Sequence, residues 1–281
     1  MAAILMLVVL LALPFVFIVA LLFAARTEAR RHPWRFRITD VVSQSFSTVG
    51  RARLPMLATS LVTIALPAAA LQVALGGGDA AAGLFTMPGE QVLTALGIGW
   101  LVSLLVGTLG EIVMIAIALD VLAGRPVQFG PALAQGLRLL LPAILVRLLL
   151  WVGVAFGLML FLLPGLVLML TWAIVLPVLV AERPGIFASF ARSGELLRGA
   201  RWRLLLLFAI VFVAWSLFGG MGQGFALASQ TSGARIGSIV VQALVATLTG
   251  AMGAAGLSTI YHQLKSEREG LVGEDLEAVF A

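Results

Sequence analysis

Three times along this chain, at 38–53, 127–141 and 186–203, a short amphipathic stretch carrying arginines runs directly into a long apolar segment. The apolar runs begin near Leu54, Pro142 and Leu204. Such a unit has its long segment suited to the bilayer core and its short one to the membrane surface. The expected architecture is an all-α polytopic membrane protein of about seven transmembrane helices, six of them in three repeats of an interfacial helix plus two spans.

Composition fixes the class independently. Hydrophobic residues make up 61% of the chain and charged ones 11%, with a mean hydropathy of +1.11. A soluble domain could not hide so much apolar surface. Charge is costly at the bilayer centre, so windows of about 20 residues that lack it mark spans. These fall at 4–25, 54–75, 92–119, 142–163, 166–181, 204–218 and 236–264. They divide the chain into an N-terminal anchor with a basic linker (1–35), a six-helix membrane domain (36–269) and a cytoplasmic tail (270–281).

The isoelectric point near 11.2 invites a nucleic-acid reading, but the charges stand in the wrong places for one. Arginines cluster at span ends: Arg26 to Arg53 around the first two runs, Arg125 and Arg138 between the third and fourth, Arg183 to Arg203 between the fifth and sixth. Threading seven spans through them puts every cluster on one side, which the positive-inside rule makes the cytoplasm. The loops 76–90 and 230–235 on the other side carry only Asp79, Glu90 and Arg235. No basic platform interleaved with aromatic residues accompanies the charge, so anionic inner-leaflet phospholipid is the expected partner and nucleic acid is not. A bacterial inner membrane with the N-terminus outside and the C-terminus in the cytoplasm follows. Nothing basic precedes the first span and a dense basic cluster follows it, the reverse of a signal peptide, so it reads as a retained helix.

Chemistry is harder to find. There is no cysteine, and the two histidines, His32 and His262, sit at basic span ends without carboxylates or histidines at ligand spacing. Neither a metal nor a cofactor is expected. No nucleophile elbow, phosphate loop or zinc-protease motif occurs. The glycines at 219–224 follow no strand and read as a flexible break or a close helix contact, and Ala246, Gly250, Ala254 and Ser258 form a small-residue packing stripe. Leu163-Pro164-Gly165 reads as a tight helical hairpin, and the short fifth span with Pro177 as either kinked or a tilt-free, partly interfacial helix.

Two ionisable residues fall inside spans, Glu111 in the third and Arg147 in the fourth. Two readings stand: an ion pair at similar depth, or a variant with Asp120, on adjacent helices; or Arg147 snorkelling to the headgroups with Glu111 protonated or facing water. At the basic face, Glu182 ends a span just before a helix bearing Arg192 and Arg198. Those arginines either satisfy Glu182 and fix the helix or, with it, contact a lipid phosphate. Ser193 is small enough for close helix approach, and Trp202 anchors the next span at the interface.

Leu163-Pro164-Gly165, the run from Leu176-Pro177 to Glu182, Ala188 to Ser193, Leu196 to Gly199, and Trp202 together carry a family resemblance. The segment resembles the membrane domain of glycerophosphoryl diester phosphodiesterases and related bacterial six-helix membrane proteins. Residues 37–55 and 255–269 are similar to the ends of that domain, so the resemblance covers 36–269. In those enzymes catalysis belongs to a separate soluble domain, which this chain lacks, so the resemblance implies a membrane module without the activity. Three functions fit the sequence: a non-catalytic envelope scaffold or accessory module that interacts with lipid and with a membrane-protein partner or a second copy; a transporter or lipid-handling permease with a polar path near Glu111 and Arg147; and an intramembrane lipid-acting enzyme.

Overall fold

A computed structural model describes residues 38–74, 89–160, 162–228 and 232–280, and among them every regular element is helical. The first anchor, most of the loop 76–90 and the arginines before Ile38 lie outside the described residues. In chain order the helices are α1 (Ile38–Arg51), α2 (53–74), α3 (89–122), α4 (Phe129–Leu160), α5 (Leu162–Thr171), α6 (Val175–Glu182), α7 (Ile186–Leu196), α8 (Arg201–Ala228) and α9 (Ser232–Phe280). Among the described residues five stretches are long and apolar enough to cross a bilayer: Arg53–Val73, Gly97–Leu122, Phe129–Leu160, Pro164–Glu182 and Gly237–Gly270. The expected span 204–218 lies within α8. The fold is an all-α polytopic membrane protein.

Helix α3 is the axis of the bundle. Residues Ile112 to Ala118 are buried without interruption, so this stretch of the helix turns no side to lipid or water, while Ile98, Trp100 and Leu101 nearer its start face outward. A helix apolar all round is stable only when other helices enclose it, and α2, α4, α6 and α9 do so. Large apolar side chains elsewhere face outward, among them Trp151, Phe156, Met159, Phe212 and Leu244. That arrangement would aggregate in water and is the expected one in hydrocarbon.

Small residues set the closest contacts. A Cβ on Gly110 of α3 would meet the Thr63 side chain of α2 at 1.9 Å, and one on Gly250 of α9 would meet the Ser60 hydroxyl at 2.5 Å. Ser60 donates to the Thr247 carbonyl at 2.8 Å, so the stripe of small residues on α9 packs on α2 as its spacing implies. A π-helical turn, Leu61–Ala65, precedes Pro67 in α2, and a second, Ser103–Gly107, lies in α3. Pro67 has no N–H for the Thr63 carbonyl four residues back, and a widened turn absorbs that interruption.

The surface helices α1 and α7 share an inverted amphipathicity. Beside Val41 in α1 and Leu196 in α7, their buried positions are small and polar, Ser45 and Thr48 in α1 and Ser189 and Ser193 in α7, while Phe46 and Phe187 are 63% and 78% exposed. Ser45 and Ser189 donate to carbonyls one turn back, at 2.6 and 2.7 Å, which lets them be buried without an outside partner. Their phenyl rings are thereby available to the membrane surface.

The middle unit departs from expectation in three ways. Residues 127–141 form no separate interfacial helix; α4 runs through Pro142 as one helix of 32 residues. Ala132, Gly136, Ala143 and Val146 make one buried stripe through the proline, and Gly136 fits against Leu109 and Val113 of α3. The helix stays continuous because the same face packs on α3 on both sides of Pro142. Secondly, α4 ends at Leu160 and α5 begins at Leu162, so Pro164 and Gly165 lie in the first turn of α5, where a missing N–H costs nothing. Glycine is required there: a Cβ on Gly165 would stand 2.6 Å from the Leu158 backbone nitrogen, and one on Gly157 2.9 Å from the Gly165 Cα. Thirdly, the kink expected at Pro177 is a full break one turn earlier: Pro164–Glu182 is one stretch by hydropathy but two helices by hydrogen bonding, broken at 172–174. The tail beyond 269 continues helically to Phe280 as part of α9.

Candidate functional site

The break in the fifth span explains Ser193. Pro177 cannot donate to the Ala173 carbonyl, and the chain restarts as α6 with the proline in its first turn. Across the break Ala173 and Val175 donate three residues back, to Leu170 and Trp172, at 3.5 and 3.2 Å. Val175 is the helical partner of the Thr171 carbonyl, which is left over and takes the Ser193 hydroxyl at 2.8 Å. Trp172 meets Phe190 edge to face with centroids 5.0 Å apart, which clamps α7 to the break. Ser193 therefore satisfies a buried backbone group as well as allowing close approach. Ser193→Ala is expected to cost about 1–3 kcal/mol by orphaning that carbonyl, more than Ser193→Thr if the added methyl fits; thermal unfolding in detergent measures both.

A second leftover carbonyl is handled in the same way. Val180 has Pro184 four residues on, which offers no N–H, and Gln135 of α4 reaches across to donate to its carbonyl at 2.9 Å.

Glu111 and Arg147 meet. An Arg147 terminal nitrogen is bonded to a Glu111 carboxylate oxygen, and the other donates to the Thr108 hydroxyl at 2.9 Å. The side chains are 26% and 19% exposed, so the pair is largely inside the bundle. Asp120 is not part of it; that carboxylate pairs with Arg125 at 2.7 Å, just beyond the end of α3.

Glu182 is the hub of the basic face. One oxygen accepts from Arg192 Nε at 3.1 Å; the other accepts from the Tyr261 hydroxyl at 2.8 Å and lies 3.4 Å from Lys265 Nζ. Glu269 extends the network, 3.7 Å from both Lys265 and Arg192. Burial, the largest single influence, pulls the Arg192 pKa down, but the bond to Glu182 together with the charges of Glu182, Glu195 and Glu269 holds the guanidinium above its ordinary value. Arg198 stands apart from Glu182: its side chain is exposed, and its carbonyl accepts from Arg268 at 2.9 Å. Trp202 is 44% exposed at the second position of α8. Tyr261 and Lys265, residue types common as anchors at a span end, are structural members of this network. The spacing Tyr261, Lys265, Glu269 places three polar groups on one face of α9 but does not point to Glu182 as their partner.

Beside the hub lies an open cavity of about 510 Å³ that sequence reasoning did not anticipate. Its floor is small and apolar, with Ala116, Leu119 and Val180; its charged residues and histidine are Asp120, Arg125, Arg183, His262, Lys265 and Glu269, and Gln135, Tyr261 and Ser266 complete the polar lining. Four separate elements supply it: the end of α3, the start of α4, the end of α6 and the polar turn of α9. The volume is in the range of small-molecule sites. Glu111 and Arg147 do not line it. Among the described residues no group of three or more His, Cys, Asp or Glu is arranged to hold a metal ion. No family model, curated protein or solved structure matches the chain.

Proposed function

We propose that the protein is a lipid-interacting module of a bacterial inner membrane that binds an amphiphile in the cavity on its basic face, in a non-catalytic role. The cavity carries this reading, because an apolar floor under a charged rim at the level of the span ends suits a molecule with a polar head and an apolar body. The two charge networks support it from the other side. Glu111 with Arg147 and Glu182 with Arg192, Tyr261 and Lys265 are engaged with each other, as expected of locks between helices. The arginine distribution orients the cavity toward the cytoplasm, with the N-terminus outside. The resemblance to membrane domains that accompany a separate catalytic domain also favours an accessory role.

A second reading, a lipid-handling permease, is favoured by the broken span α5–α6, whose end forms one wall of the cavity, since transporters place interrupted helices at their binding sites. On that reading the cavity opens in turn to both sides.

The chain has no cysteine, so one introduced thiol reports cleanly. Ser266 lines the cavity and Ser43 on α1 does not, and both are exposed. In protein extracted with its native lipid, Ser266→Cys is expected to react slowly with maleimide and to speed up on delipidation, while Ser43→Cys reacts at one rate throughout. In membranes an impermeant reagent is expected to reach Ser266→Cys from the cytoplasmic side alone; reaction from both sides favours the permease. Equal rates with and without lipid would rule out an occupied cavity.

A further inference from the structure

We infer that the cavity is a site for a phosphate diester bearing one net negative charge, with Arg183 as the principal phosphate ligand and His262 as a second donor. The assignment rests on the cavity being a binding site, as proposed above. The lining holds three cations, Arg125, Arg183 and Lys265, against two carboxylates, Asp120 and Glu269, an excess of one positive charge. The pairing shows which cation is in excess. Arg125 is matched by Asp120 at 2.7 Å, and Lys265 lies between Glu182 and Glu269 at 3.4 and 3.7 Å. Arg192, which does not line the cavity, is matched by Glu182 and Glu195 at 3.1 and 3.8 Å. Arg183 forms no ion pair with any described residue, and His262, half-buried in the same lining, has no side-chain hydrogen bond to one.

The backbone singles out the same residue. Arg183 terminates α6 in the left-handed region at φ 52°, the one non-glycine residue with positive φ among those described. Glycine is the usual occupant of that helix-terminal position, and a Cβ there is strained. A strained long cation placed on the rim of a cavity, two residues before a glycine at φ 100°, is the kind of outlier from which a functional role is argued. A guanidinium offers a planar fork of donors that matches two phosphate oxygens. A diester carries a single charge and so balances the excess, whereas a monoester, at about −1.5 to −2, would leave negative charge uncompensated. The volume of about 510 Å³ leaves room for a substituent on the phosphate. Two sources supply this chemistry, a phospholipid headgroup and a soluble diester.

Glycine at 183 removes the ligand while relieving the strain, so the test keeps the fold. The full chain carrying Ser266→Cys is compared with Ser266→Cys/Arg183→Gly in delipidated detergent solution, reading maleimide protection by dihexanoyl phosphatidylglycerol, dihexanoyl phosphatidylcholine and dimethyl phosphate. Expected are an unchanged or higher melting temperature for Arg183→Gly and a loss of phosphatidylglycerol affinity of about tenfold or more. His262→Asn is expected to weaken it less. Protection by dimethyl phosphate that Arg183→Gly abolishes identifies a soluble source; Arg183-dependent protection by phosphatidylglycerol alone identifies lipid. Protection that is equal in both proteins, or equal for phosphatidylglycerol and phosphatidylcholine, overturns the phosphate assignment while leaving an amphiphile site in place. Protection by none of the three overturns the assignment, and if native lipid also gives none, the cavity reading falls with it.

Discussion

Glu182→Ala is expected to give the largest stability loss of any single substitution at the basic face, about 3 kcal/mol, or on the order of 5–10 °C in apparent melting temperature. The carboxylate is 19% exposed, accepts from Arg192 of α7 and Tyr261 of α9, and lies 3.4 Å from Lys265 of α9. Removing it leaves two cations and a buried phenol facing one another. Arg192 and Lys265 are about one-third exposed, which lets water recover part of the loss and keeps the figure at the low end for broken buried pairs. Glu182→Gln retains shape and one acceptor and is expected to lose less; Tyr261→Phe, which removes a single hydrogen bond, less again, about 1 kcal/mol. A Glu182→Ala protein that melts with wild type would show that the network holds nothing together.

The second large effect is at Glu111 and Arg147. Either Glu111→Gln or Arg147→Gln alone is expected to cost about 3 kcal/mol by leaving its partner charged inside the bundle, and the double substitution to cost clearly less than the sum. Thr108 keeps Arg147 partly satisfied when Glu111 is neutral, so Glu111→Gln is expected to be the milder of the two. The measurement is a double-mutant cycle on detergent-solubilised protein by thermal unfolding. Strict additivity would mean that the two side chains act separately and would return Arg147 to snorkelling.

The spans were legible because the bilayer makes charge expensive over a length that a window can detect. The expected runs 54–75, 92–119 and 236–264 fall on α2, α3 and α9. Two kinds of feature were not legible. One is continuity: Pro142 reads as a boundary, and only the packing of Gly136 and Ala143 on the same neighbour shows why the helix carries on through it. The other is convergence. The cavity joins Asp120, Arg183 and His262 from parts of the chain that no local pattern links, and each taken alone is an ordinary polar residue at a span end. The Glu182–Arg192 bond was legible because only ten residues separate the partners. Tyr261 was not, at a separation of 79.

The contact of α9 with α2 has a consequence for biosynthesis. Ser60 and Thr247 are 187 residues apart, and the hydrogen bond between them closes the bundle around α3. During vectorial insertion α3 enters the membrane long before the helix that completes its enclosure has been translated. For that interval Ser60 and the notch at Gly250 cannot meet, and the faces of α2 and α3 that α9 will cover are left to lipid or to an insertion factor. The nascent protein is therefore held in the bilayer by hydropathy well before tertiary packing selects its final arrangement, and the step that commits it waits for the C-terminal helix.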